Sequence, residues 1–166
     1  GVTSVKGEGS TFSVMLPLEV LDKDAIAVQE GCVRQELSEQ LHGLRILLVD
    51  DNLLNREIAT TLLEDAGFVV EQAVDGKDAI DRLSNAEPGY YQLVLMDIQM
   101  PRMDGYQAAQ AIRALPDARS TVPIIAMTAN AFEEDKQRAF DAGMNDHISK
   151  PISLNALLAA LRKNLK

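Results

Sequence analysis

The uninterrupted apolar run Leu93-Val94-Leu95-Met96 leads straight into Asp97. Four consecutive apolar residues bounded by polar ones read as a strand buried on both faces. The same signature recurs. Residues 44–49 form a strand that runs into Asp50-Asp51-Asn52. Residues 123–127 form another, ending at Thr128, and residues 146–149 a short one ending at Lys150-Pro151. Residues 68–73 make a more polar strand, which suits a sheet edge. Between the strands the period changes to that of a helix. Leu54, Ile58, Leu62 and Ala66 share a helical spacing that Gly67 ends. Asp75-Gly76 turns into a helix through Ala79, Ile80 and Leu83. Further helices are expected over 105–115 (stopped by Pro116), 132–140 (stopped by Gly143) and 154–165.

Strand and helix alternate five times. That demands an α/β fold, a doubly wound parallel sheet with helices on both faces and right-handed crossovers. Ahead of it the pattern weakens. Phe12, Val14 and Leu16 alternate with Thr11, Ser13 and Met15, a half-buried strand ended by Pro17 and with nothing of its own to pair with. Residues 19–42 are charged and poorly periodic, a linker with room for a short helix over 33–41.

Composition narrows the function. With 46% hydrophobic and 25% charged residues over 166 positions, the chain is globular, with one full domain and an appendage. A net charge of −9 without a basic cluster argues against nucleic acid as a partner. The single cysteine, Cys32, permits no internal disulfide and suits a reduced, cytoplasmic compartment. Two histidines and one cysteine cannot make a zinc site by themselves. No apolar run approaches a membrane span.

The chemistry lies at the strand ends. In a parallel sheet the carboxyl ends line one edge, where open α/β folds bind ligands. Asp50, Asp51, Asp97, Thr128 and Lys150 therefore converge on one crevice. Singly, each has a plainer reading. Asp50-Asp51 and Thr128 could cap helices, and a lysine is most often solvated. At successive strand ends the set points to chemistry instead. Clustered carboxylates repel unless a cation joins them, and Mg²⁺ is the natural one. Asp97 would be a nucleophile that forms an acyl phosphate. Mg²⁺ and Lys150 would neutralise the transferring phosphoryl oxygens, with a hydrogen bond from Thr128.

Four motifs carry a resemblance. They are Ile46-Leu47-Leu48-Val49-Asp50-Asp51-Asn52, the segment from Leu93 to Gly105 with its Met-Asp-Ile-Gln-Met-Pro-Arg-Met-Asp-Gly end, Ile124-Ile125-Ala126-Met127-Thr128-Ala129-Asn130-Ala131, and Ile148-Ser149-Lys150-Pro151. Over 43–166 the chain resembles the receiver domain of two-component response regulators. The Asp-Asp-Asn-Leu-Leu-Asn-Arg variant is most similar to receivers of hybrid sensor histidine kinases. Residues 7–18, Gly-Glu-Gly-Ser-Thr-Phe-Ser-Val-Met-Leu-Pro-Leu, resemble the final strand of such a kinase's ATP-binding domain.

The resemblance implies a flavodoxin-like sheet order of 2-1-3-4-5. It divides the chain into a kinase strand remnant (1–18), a linker (19–42) and a receiver (43–166). It implies phosphorylation on Asp97 and Mg²⁺ held by Asp50, Asp51, Asp97 and the carbonyl of Gln99. Thr128 and Lys150 would contact the phosphoryl group, and Lys150-Pro151 would be a cis bond. Gln99 and Asn130 match positions that tune dephosphorylation. His147 stands where the family usually carries a switching aromatic; a strand histidine satisfied by a neighbour is an equal reading. The implied partners are the kinase core of the same parent chain, itself able to sit in the inner membrane, and a histidine phosphotransfer domain. With no output module after residue 166, relay or docking is expected of the receiver, which catalyses only its own phosphorylation and dephosphorylation. Two rivals stand against relay. A phosphatase of the haloacid-dehalogenase type would carry an aspartate where this chain has Gln99. A degenerate or phosphate-sink receiver would act by docking alone.

Overall fold

The computed structural model describes residues 2–5, 9–12, 42–129 and 133–164. The chain divides into two compact units, Gly1–Leu37 and Ser38–Lys166. In the first, strands β1 (Val2–Val5) and β2 (Gly9–Phe12) pair antiparallel, with Val2 opposite Phe12. This corrects the expectation of a lone strand. Val2-Thr3-Ser4-Val5 lacks strict apolar alternation and so carries little strand signal. Val14, Leu16, Pro17, Cys32, the helix expected over 33–41 and Asn130 lie outside the described residues. The boundary expected between 42 and 43 falls inside the second unit.

The second unit holds the five expected βα repeats. Its strands are β3 (Arg45–Val49), β4 (Val69–Ala73), β5 (Leu93–Asp97), β6 (Ile124–Thr128) and β7 (Asp146–Ser149). All pair parallel in the order β4-β3-β5-β6-β7, which is 2-1-3-4-5 within the unit. The polar strand β4 lies at an edge, as its composition required. Helices α1 (Leu53–Asp65), α2 (Gly76–Asn85), α3 (Gly105–Arg113), α4 (Glu133–Asp141) and α5 (Leu154–Asn164) connect and flank the strands. None of the described helices is long and apolar enough to cross a membrane.

Strand alternation sorts the core into two layers. Leu47, Val49, Val94, Met96, Ile124 and Ala126 face α2, α3 and α4 through such residues as Leu83, Ile112 and Ala139. Ile46, Leu48, Leu95, Ile125, Met127 and Ile148 face α1 and α5 through Leu63, Leu157 and Leu161. Both faces of the central strands are buried, which explains why those strands read as unbroken apolar runs.

Helix α1 departs from its simplest reading. Leu54 and Ile58 mark the helix, but they are 66% and 60% exposed. The face toward the sheet carries Arg56, Ala59 and Leu63. One further element was not expected, a 3₁₀ turn at Ala118–Thr121. It forms because Asp117 accepts from Arg119 N, while the Ser120 and Thr121 hydroxyls bond nearby carbonyls.

Candidate functional site

Helix caps decide which polar residues after each strand are free for other work. After β3 the cap of α1 is Asn52, whose side chain accepts from Leu54 N and Asn55 N. After β5 the cap of α3 is Asp104, in a capping box with Gln107. The caps of α1 and α3 are thus Asn52 and Asp104, while Asp50 and Asp97 each accept a backbone N–H two residues on, from Asn52 and Gln99.

Asp50, Asp97 and Thr128 are 2%, 5% and 5% exposed. Asp51 is exposed. Each of the three aspartates offers a carboxylate oxygen within 4.8 Å of the others. Lys150 closes the group, with its Nζ 2.6 Å from Asp50 Oδ2 and 2.7 Å from Asp97 Oδ2. The Lys150-Pro151 bond is cis. Thr128 lies beside the group, one residue past Met127, the register partner of Asp97. The Gln99 N–H donates to Asp97 Oδ1 at 3.2 Å, so the backbone after β5 turns onto the nucleophile candidate. His147 lies elsewhere, on edge strand β7 opposite Ala126. Its Nδ1 is buried without a hydrogen-bond partner, 3.7 Å from Asp146 Oδ1.

The electrostatics follow from this packing. Burial pushes the Asp97 carboxyl above its ordinary range, and the charge of Asp50 adds to the rise. Lys150 and the Gln99 N–H pull the other way without cancelling it. Burial by itself would lower Lys150; its bonds to Asp50 and Asp97 overcome that and hold the ammonium above its ordinary value. The group therefore contains more carboxylate than ammonium, and its donors are all oxygen. Such a set fits a hard divalent cation such as Mg²⁺.

Two supporting residues stand in the Asp-Asp-Asn-Leu-Leu-Asn-Arg motif without a role assigned from sequence. Asn55 Nδ2 reaches both carboxylate oxygens of Asp50 at 3.4 Å. Arg56, 7% exposed, donates from NH1 to the Asp50 carbonyl at 2.6 Å and from Nε to Gln72 at 3.4 Å. The signal that could have found them is their place one helical turn after the acidic pair. From this corner a groove opens, lined by Asp50, Asn55, Ile58, Leu62, Lys150 and Pro151.

Comparison with known proteins places the chain in a family. Residues 46–162 match the family described as response regulator receiver domain. The aerobic respiration control sensor protein ArcB of Escherichia coli is 36% identical over 162 residues, covering 98% of this chain and 20% of that protein. Hybrid signal transduction histidine kinase L of Dictyostelium discoideum is 40% identical over 121 residues, covering 72% and 7%. The chain thus spans a fifth or less of the length of these relatives. Among solved structures, the receiver domain of sensor histidine kinase PA1611 from Pseudomonas aeruginosa, with magnesium coordinated in its active site cleft, is similar at 38% identity. Its TM-score is 0.65, with 74% of this chain and 97% of that one covered. The co-crystal structure of Saccharomyces cerevisiae Ypd1, a histidine phosphotransfer protein, with the Ssk1 receiver domain also matches. There the identity is 28% and the TM-score 0.65, over 75% of this chain and 90% of that one. From fold, motif order and these likenesses together, the chain belongs to the response regulator receiver domain family, of the kind found in hybrid histidine kinases.

Proposed function

We propose that this receiver accepts a phosphoryl group on Asp97 and passes it to a histidine phosphotransfer domain. The observation that carries the reading is Lys150, whose ammonium bridges Asp50 and Asp97 inside a buried acidic crevice. In the accepting step an Asp97 carboxylate oxygen forms the new O–P bond. The donor's bond to phosphorus breaks, and its electron pair leaves with the donor imidazole or acetate. Lys150, already at Asp97, can turn its N–H groups onto the incoming phosphoryl oxygens, and Thr128 Oγ donates beside it. Asp50, Asp51 and Asp97, with the Gln99 carbonyl, would hold Mg²⁺. When bound, the ion neutralises phosphoryl charge next to the nucleophile. The magnesium in the similar PA1611 receiver supports this assignment.

Relay is supported by three things. The ArcB likeness runs through 98% of the chain, so a kinase core in the same parent protein is the proposed phosphodonor. The Ypd1–Ssk1 complex supplies a similar receiver with a phosphotransfer partner. Leu53, Leu54 and Ile58 of α1 form an exposed apolar patch beside the groove, suited to a partner helix.

Acetyl phosphate with Mg²⁺ should add one phosphoryl group by mass spectrometry, and Asp97→Asn should abolish the addition. Label carried by the receiver should then move to the histidine of a phosphotransfer domain. Label released only as free phosphate would replace relay with a sink role.

A further inference from the structure

The segment between Asp97 and α3 carries an unusual residue. Arg102 has a φ of +70°, and no other described residue apart from glycines has a positive φ. Arginine gains nothing from that conformation, which glycine and asparagine adopt more easily. Its side chain points to a reason. Arg102 NH2 lies 2.5 Å from Asp75 Oδ2. The Arg102 side chain is 75% exposed, while that of Asp75 is 7% exposed. The other Asp75 oxygen accepts from Asp78 N at 2.8 Å and caps α2. Helix α2 is seated in the core by Ala79 and Leu83, so Asp75 is a fixed post.

The same segment is tied to the site at its other end. Gln99 N donates to Asp97 Oδ1, and Gly105 N donates to Ile98 O at 3.0 Å. Met100 and Met103 hold it by packing, Met103 against Gly76 at the start of α2. Arg102 adds a charged tie from the segment to a buried acid. An ion pair with one buried carboxylate keeps its geometry better than an exposed pair, because breaking it strands a charge away from water.

We propose that Arg102, through Asp75, is a positioning residue that sets the backbone at Gln99 and so the orientation of Asp97. The strained φ is held because the ion pair fixes the segment, and the segment fixes the nucleophile and the carbonyl assigned to the metal. This rests on the functional reading above, in which Asp97 is phosphorylated and Mg²⁺ binds beside it.

A double-mutant cycle on the full chain tests it. Arg102→Gly removes the ion pair but tolerates the φ. Asp75→Asn removes the charge but keeps a cap acceptor for Asp78 N. Mg²⁺ affinity would be read by calorimetry below the melting transition, and phosphoryl lifetime after acetyl phosphate. Each single variant should weaken Mg²⁺ binding by about tenfold, as losing an outer support of a metal site does. The double variant should be no worse than either single one. Variants with wild-type Mg²⁺ affinity and lifetime, but a lower melting temperature, would overturn the proposal and leave a purely structural pair. Losses that add in the double variant would also overturn it. A wild-type chain that takes up neither Mg²⁺ nor phosphoryl would overturn the functional reading as well.

Discussion

At the scale of single residues, the site is built at the expense of stability. Asp97 is buried beside Asp50, and its folded pKa lies above the ordinary value. A carboxyl with a raised folded pKa favours the native state while protonated. That contribution is present below the unfolded pKa and is lost as pH rises through the folded one. In Mg²⁺-free buffer, Asp97→Asn should therefore melt higher than wild type, by a margin that widens as pH climbs through that pKa. Calorimetry at several pH values checks this; a constant margin would contradict it. Gly105 shows a different constraint. A Cβ there would meet the Asp97 carbonyl oxygen and come within 3.0 Å of Ile98 Cα. Gly105→Ala should cost about 1–3 kcal/mol in urea unfolding and slow phosphorylation by shifting Asp97. The strand-end residues were legible because a charge beside an apolar run has few structural excuses. The supporting roles of Asn55 and Arg56 were not, since polar residues on a helix read as surface until the fold turns them inward.

At the scale of elements, α1 serves two surfaces. Leu63 is fully buried against the sheet, whereas Leu54 is 66% exposed. Leu63→Ala should lose about 2–5 kcal/mol. Leu54→Asp should stay within about 0.5 kcal/mol of wild type, yet stop label from reaching the phosphotransfer histidine. Urea melts and label transfer on both variants separate the two faces. A 3.6-residue period locates a helix, but here it could not assign the buried side. The inward face is made of small Ala59, Leu63 and a buried arginine, while Leu53, Leu54 and Ile58 point out. The edge position of β4 was legible from its polarity. The β1–β2 pairing was not, because a short strand without alternation carries little signal.

At the scale of the whole molecule, the receiver fold was legible because strand and helix signals repeat in register and the two core layers leave little room for other topologies. Nothing comparable marks the first unit. Removing residues 1–37 should leave Ser38–Lys166 melting in one cooperative transition that Mg²⁺ shifts upward. A broad melt, or one insensitive to Mg²⁺, would refute the division. The open patch of Leu53, Leu54 and Ile58 also bears on how the protein behaves in concentrated solution. Wet apolar side chains invite copies to stick, and the net charge of −9 holds them apart. That repulsion reaches about 8 Å at physiological ionic strength and about 3 Å in molar salt. Raising the salt should thus drive reversible self-association visible by light scattering, and Leu54→Asp should suppress it. The exposed apolar face of α1 makes the chain's colloidal behaviour a function of ionic strength.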